Sequence, residues 1–414
     1  MKKSIFYRAL RKILHVGKSA CLDIRSDIRL LKLKNKTCGN KVRVGFIVQM
    51  PEIWDKQEAV YEELLKRDST EVFMFVVPPF DNAKREVTKN YENNYFLNQY
   101  PSAIKAVDTK EKTIDLITYQ LDYVFYQRPY DEYLPKQLRS YIVSAYSKCC
   151  YIPYGFSGAD VFDEGNTNRA FFRNIYCTFM ESSHMQKKLM RKYPISCRLG
   201  IRHIEDLGYP SLEPYFNKKS FDELKSILWT PRWSYDSKLG GSHFVEYKDM
   251  PFTILEKHKD LRCVFRPHPL MFGELRFKKM MTEAEIAEYI SNAENCGIVY
   301  DTGTPIDAAL DEADVLITDY SSIIIMYFLT GKPIIYCTSQ IELNETFQKL
   351  SQYMYIAECE EDIYRYIDQL AQGEDYRKEE RLKFISQEFA KHVNSSKRIA
   401  DRIVFDATRK DSKG

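Results

Sequence analysis

The chain has no C-x-x-C pair and no histidine spacing of a metal-ligating kind, although it carries ten cysteines. A disulfide framework and a zinc module are thereby set aside, and a reducing cytoplasm is implied. Cys263 and Cys337 lie inside apolar runs and read as small core residues. Glycine is scarce, at 16 residues against 30 Tyr and 24 Phe, which argues for aromatic-rich strands and clefts and against disorder. No D-x-D triplet occurs, so the paired-carboxylate clamp for a metal ion is missing. The expectation is a site without metal or cofactor, in which helix ends and cationic side chains supply the positive charge. Long hydrophobic runs are also lacking: residues 323–329 are the longest strongly apolar stretch, far short of the roughly 20 residues that cross a bilayer. Arg8, Arg11 and Lys12 interrupt any signal-peptide core. The sequence shows no internal repeat, and only the Lys-rich tail after Arg409 looks frayed. The expected location is cytoplasmic, with peripheral docking on the inner membrane face as an option.

Charge is unevenly placed. Residues 1–36 hold eleven Lys or Arg and two Asp, a balance of +9, while the whole chain is +3, which leaves −6 for the rest. Ile5, Phe6, Ala9, Leu10, Ile13 and Leu14 recur at helical spacing, with Lys2, Lys3, Arg8, Arg11 and Lys12 opposite. This basic amphipathic arm suits an anionic membrane surface. The same pattern fits a helix packed on the body, and periodicity alone does not separate the two. Nucleic acid is not an expected partner, because no aromatic-interleaved basic patch accompanies the arm.

A length of 414 residues exceeds what a single core usually serves. The body alternates strand and helix. Strands are expected near 41–48, 71–77 and 122–126, with helices over 53–67 and 114–120. A second alternation places strands near 225, 261, 297, 314 and 333, and helices over 247–258, 283–293 and 306–312. Such alternation predicts an α/β protein with parallel sheets. The expected divisions are a basic arm (1–40), an N-terminal Rossmann-like domain (41–207), a C-terminal nucleotide-binding domain (208–375), and a helix and tail (376–414).

Several strands end in polar turns. Val315, Leu316 and Ile317 form a branched apolar run, as expected of a strand buried on both faces, and Asp319, Ser321 and Ser322 follow at once. Amides at the start of a helix carry partial positive charge, so the two serines suit a phosphate; a plain helix cap is the competing reading. The run 225–229 ends in Thr230-Pro231-Arg232-Trp233, and the run 261–265 in Arg266-Pro267-His268-Pro269. In an open parallel sheet such ends converge on one crevice. Arg232 and Arg266 can fork around phosphate oxygens, and His268, fixed between two prolines, can donate a proton or a hydrogen bond. Alone, His268 would serve equally as a turn residue. Asp301, Thr302, Gly303 and Thr304 follow another strand and could touch a ribose or phosphate, though a turn with a helix cap explains them as well.

The order Thr230-Pro231-Arg232-Trp233, Arg266-Pro267-His268-Pro269, Asp314 through Ser322 and Gly331-Lys332-Pro333 resembles the CDP-glycerol glycerophosphotransferase family of teichoic-acid polymerases and primases. Gly208-Tyr209-Pro210 is similar to the segment that joins the halves of those proteins. The resemblance covers about 208–340. It implies a GT-B transferase, with two Rossmann-like domains facing a cleft, acting in cell-wall or capsule polymer synthesis. By that likeness Ser321 and Ser322 contact the donor diphosphate; Thr230, Pro231, Arg232, Thr302 and Gly303 are the further donor-binding residues expected. Arg266 and His268 face the transferred phosphoryl group, and Asp319 orders the loop. The implied reaction moves glycerol phosphate or ribitol phosphate from a CDP-activated donor to a hydroxyl of a polymer or lipid-linked glycan, with release of CMP.

One departure stands in the N-terminal half. The family carries a His-Gly pair whose histidine serves as base toward the acceptor, whereas Tyr154 precedes Gly155 here. A phenol with its ordinary pKa near 10 is a poor base at neutral pH. Gln127, Arg128, Tyr154 and Gly155 are the expected acceptor-side residues; a surface ion pair for Arg128 and simple packing for Tyr154 are the competing readings. A nucleotide-sugar glycosyltransferase and a non-catalytic membrane-associated binding module remain the alternative functions.

Overall fold

A computed structural model describes residues 2–36, 38–81, 84–88, 90–108, 112–216, 223–236, 241–339 and 341–409, with side chains left undescribed for residues 2–16, 18 and 169. The chain forms two compact units. The first comprises residues 1–155, 165–211 and 394–414, and the second comprises 156–164 and 212–393.

In the first unit, helix α1 (Lys2–Lys34) precedes a seven-stranded parallel sheet. Its strands are β1 (Val42–Val48), β2 (Thr70–Val76), β3 (Ile104–Lys105), β4 (Tyr123–Tyr126), β5 (Lys148–Tyr151), β6 (Ile175–Phe179) and β7 (His203–Glu205). Their spatial order is 3-2-1-4-5-6-7, the doubly wound Rossmann arrangement with one strand added. Helix α2 (Glu58–Leu65) buries Val60, Tyr61 and Leu64. The expected helix over 114–120 is only a 3-10 turn at Leu116–Tyr119, capped by Asp115 and stopped by Gln120 in the left-handed conformation.

The amphipathic pattern of residues 2–14 concerns side chains outside the described set. Farther along α1, Leu30 and Leu33 are buried, and Asp23 and Asp27 pair with Arg173 and Arg202. This half of the arm is packed on its own unit.

The unit ends on a helix from the far end of the sequence, Ser395–Thr408. Asp406 on that helix accepts from Lys148 Nζ at 2.8 Å and from the hydroxyls of Tyr123 and Tyr176 at 2.6 and 3.2 Å. Burial alone would raise the Asp406 carboxyl, yet Lys148, the Tyr123 hydroxyl and Arg402 carry it down to about 2. Arg402 on the same helix bonds Glu205 at 2.7 Å. A buried lysine inside a strand is tolerated because its charge is met in this way.

The second unit holds a six-stranded parallel sheet: β8 (Ser226–Thr230), β9 (Arg262–Phe265), β10 (Ile298–Tyr300), β11 (Val315–Thr318), β12 (Ile334–Cys337) and β13 (Tyr355–Ala357). Their order, 10-9-8-11-12-13, is again the doubly wound one. β8, β11 and β12 are buried along their whole length, which is why they read as unbroken apolar runs. Trp229 lies 4.9 Å from the Phe265 ring and 5.7 Å from Phe244, and truncating such a residue costs about 3–5 kcal/mol. Cys263 and Cys337 are core residues, as expected, and all ten cysteines are free thiols. No helix among the described residues is long and apolar enough to cross a membrane.

Candidate active site

In the second unit the strand order reverses between β8 and β11, where crossovers leave in opposite directions and open a crevice. Thr230 lies at its base, its hydroxyl 2.9 Å from that of the buried Thr318. Above them lies a cavity of about 370 Å³. Three strand-end loops line it: Thr230, Pro231, Arg232 and Trp233 after β8; Arg266, Pro267, His268 and Pro269 after β9; Tyr320, Ser321 and Ser322 after β11. Ile306 and Ile323 complete the wall. A volume of this order suits a small polar ligand or part of a nucleotide.

The Arg232 guanidinium donates to the Tyr320 carbonyl at 2.9 Å and lies over the Tyr320 and Phe162 rings, at 5.2 and 5.9 Å. It is thus a cation fixed in direction, and burial lowers its pKa. Phe162 belongs to the short segment 156–164, which is part of this unit although the chain on either side of it is part of the other. Arg266 is held by Asp301 at 2.7 Å and by the Thr304 carbonyl at 2.6 Å. His268 accepts the Leu270 N–H on Nδ1 at 3.2 Å, and its ring centroid is 6.0 Å from that of Trp233. Burial and then the Arg232 charge lower the pKa of its imidazole.

Ser321 Oγ receives the Ile323 N–H at 3.4 Å, whereas the Ser322 hydroxyl makes no cap bond to the helix that follows. Both face the cavity.

Asp319 is placed differently. Its carboxylate is 2% exposed, does not line the cavity, and accepts from the Arg232 N–H at 2.8 Å and from His243, through the backbone N–H at 3.3 Å and Nδ1 at 2.5 Å. Thr302 and Gly303 are not part of the lining either. The Gly303 and Thr304 amides turn back onto Asp301, at 3.2 and 3.0 Å. Other motif residues are structural: Asp314 receives the N–H groups of Lys225 and Ser226, and Lys332 donates to the carbonyls of Asp311 and Ala313. Gly331 has φ +76°, and a Cβ there would collide with Leu382.

In the first unit, Gln127 receives the N–H groups of Gln49 and Met50 at 2.6 and 2.9 Å and donates to the Met50 carbonyl at 3.0 Å. Its buried amide therefore joins the ends of β1 and β4. Arg128 donates to the Gln49 side chain and lies 4.4 Å from the Tyr133 ring. The Tyr154 hydroxyl is 3.1 Å from that of Tyr130, and burial followed by Tyr130 pushes its pKa up, farther from that of a base. Gly155 has open space at its Cβ position.

Gln49, Tyr130 and His243 escape sequence reasoning. Each is defined by a partner distant in the chain or by an aromatic cluster, with no local motif to mark it.

Two doubly wound parallel sheets, one with a cationic, hydroxyl-lined cavity at its switch point, make this a GT-B protein. The chain belongs to the CDP-glycerol:poly(glycerophosphate) glycerophosphotransferase family, whose profile matches residues 172–405. That match spans every loop around the cavity. Among solved structures, the wall teichoic acid polymerase TagF aligns over 97% of this chain and 98% of its own, with 16% identity and a TM-score of 0.51. A UDP-N-acetylglucosamine 2-epimerase aligns over 91% and 99%, with 12% identity and a TM-score of 0.58. The Neisseria meningitidis UDP-GlcNAc 2-epimerase, bound to UDP-GlcNAc, aligns over 88% and 100%, with 13% identity and a TM-score of 0.57. At these identities the likeness concerns the fold. No curated protein matches the chain.

Proposed function

We propose that the protein transfers a phosphoalditol, glycerol phosphate or ribitol phosphate, from a CDP-activated donor to a hydroxyl of a surface polymer or lipid-linked glycan. The carrying observation is the convergence of Arg232, His268, Ser321 and Ser322 in one cavity at the switch point, inside the family match. The acceptor oxygen attacks the β-phosphorus, the bond to the α-phosphate oxygen breaks, CMP leaves, and a phosphodiester forms. Charge gathering on the leaving phosphate is met by Arg232, the serine hydroxyls and the loop amides, while neutral His268 donates from Nε2 to a phosphoryl oxygen. Arg266, anchored to Asp301, shapes the wall and adds positive potential. The attacking hydroxyl gives its proton to a base other than Tyr154.

Incubation with CDP-glycerol, CDP-ribitol and several UDP- and GDP-sugars tests the reading. Release of CMP supports phosphoalditol transfer; release of a nucleoside diphosphate favours a nucleotide-sugar glycosyltransferase. Tyr154 in the place of the family histidine gives that second reading its weight.

The site of action is the inner face of a membrane. Ile24, Ile28 and Leu31 are exposed along one side of α1, opposite the buried Leu30 and Leu33, and the segment is strongly basic. Such a face suits anionic lipid.

A further inference from the structure

His243 lies outside the cavity wall, yet it is joined to the acid that immediately precedes the phosphate-site loop. Nδ1 and the backbone N–H of His243 both meet Asp319, at 2.5 and 3.3 Å, and the ring stacks on Tyr247 at 5.1 Å with the planes 8° apart. The Asp319 carboxylate also accepts the Arg232 N–H, at 2.8 Å. One buried carboxylate thus ties the loop after β8 to the loop after β11, and His243 is the side chain hydrogen-bonded to it, with the Arg232 charge also in reach.

We infer that His243 is a positioning residue for the donor site: its ring holds the Asp319 side chain in one orientation, and through Asp319 sets the spacing between Arg232 and the Ser321–Ser322 turn. The inference rests on the reading of the cavity as a diphosphate site. A buried carboxylate without a matching donor costs more than the same group paired and hydrogen-bonded, so the pair stabilises one loop arrangement over the others. The groups facing the ring are Asp319 at the end of β11 and Glu246 and Tyr247 on its own turn; Arg232 and Tyr235 of the loop after β8 and Tyr336 and Cys337 of β12 face Asp319. Burial alone would depress the imidazole, but the Asp319 hydrogen bond and charge, aided by Glu246, raise its pKa above the ordinary value. Below that raised value the pair is charged and intact. As pH rises through it the imidazolium is lost and the loops loosen.

The test uses the full chain with ¹³C-labelled histidine rings. The His243 resonance, assigned by its loss in His243→Ala, is expected to titrate above the ordinary histidine midpoint, and Asp319→Asn to bring the midpoint down. In parallel, CDP-glycerol binding is measured by calorimetry from pH 6 to 9. His243→Ala is expected to weaken binding about tenfold, the scale of a lost hydrogen bond to a charged group. His243→Asn keeps an N–H toward Asp319 without titrating, so it should recover most of the affinity and lose the alkaline weakening of the wild type. A midpoint at or below the ordinary value, or His243→Ala binding as tightly as wild type with the same pH dependence, overturns the inference. If wild-type protein fails to bind CDP-glycerol at all, the donor reading falls and the positioning role with it, whereas a perturbed ring titration still identifies the ion pair.

Discussion

The Leu270 N–H points at Nδ1 of His268, 3.2 Å away. An Nδ1 that accepts cannot carry the proton, so the neutral ring is protonated on Nε2, and that nitrogen is the donor available to a ligand. Protonating Nδ1 would break the Leu270 bond and place a second cation near Arg232. In the proposed reaction His268 is therefore a hydrogen-bond donor held neutral.

The first expectation concerns this ring. His268→Ala should lower kcat about 10²–10³-fold, the range for removal of one oriented donor, with little change in melting temperature. Since burial and Arg232 lower the pKa, kcat/KM should be level from about pH 6.5 upward on the histidine side and should fall only in more acid solution. Steady-state CMP release across pH checks both.

Arg232→Lys should raise the KM for the CDP donor about tenfold or more. A lysine retains the charge but loses the planar contact with Tyr320 and the fixed direction given by the Tyr320 carbonyl. Chelators should leave the rate unchanged if arginines and amides balance the diphosphate. Initial rates with and without EDTA decide this.

Tyr154→Phe should keep CMP release within about threefold of wild type, because a half-buried phenol with a raised pKa makes a poor base and its bond to Tyr130 is one neutral hydrogen bond. Gln127→Ala should instead act on stability. Two backbone N–H groups lose their acceptor, at about 1–3 kcal/mol for each buried group left unpaired. Urea unfolding distinguishes the two effects.

Asp406→Asn should destabilise the protein by about 3–5 kcal/mol, since Lys148 would be left as an uncompensated buried charge. The folded pKa of Asp406 is depressed to about 2, below the ordinary 3.8, so its contribution is complete above the ordinary value and is lost as pH falls toward 2. His203 adds an acid-side loss of its own. Burial and Arg402 lower it to about 4, so stability declines as pH falls from the ordinary 6.5 toward that value. Thermal melts from pH 8 to 3 should show the wild type losing stability in that window.

Much of this was legible in the sequence, for a physical reason. Parallel strands covered on both faces need continuous apolar runs, so β1, β8 and β11 announce themselves, and the polar turns that follow β8, β9 and β11 mark the switch-point cavity. The helix at Ile306–Glu312 matches its expected span, and that at Glu283–Asn295 extends two residues past it. What stayed hidden depends on distant pairing. β5 opens with Lys148, which local patterning rejects as a strand residue; only Asp406, 258 positions away, makes it tolerable. His243 likewise has no motif and gains meaning from Asp319, 76 positions on. Gln127 looked like a ligand residue because polar strand ends are exposed to the crevice, but its amide is taken by Gln49 and Met50.

The most direct measurement of the central claim is calorimetric titration of CDP-glycerol into the wild-type protein and into the Ser321→Ala, Ser322→Ala double variant. If the diphosphate rests against this turn, the wild type binds, and the variant, still folded by circular dichroism, binds at least tenfold more weakly. Equal affinity in the two proteins would contradict the account.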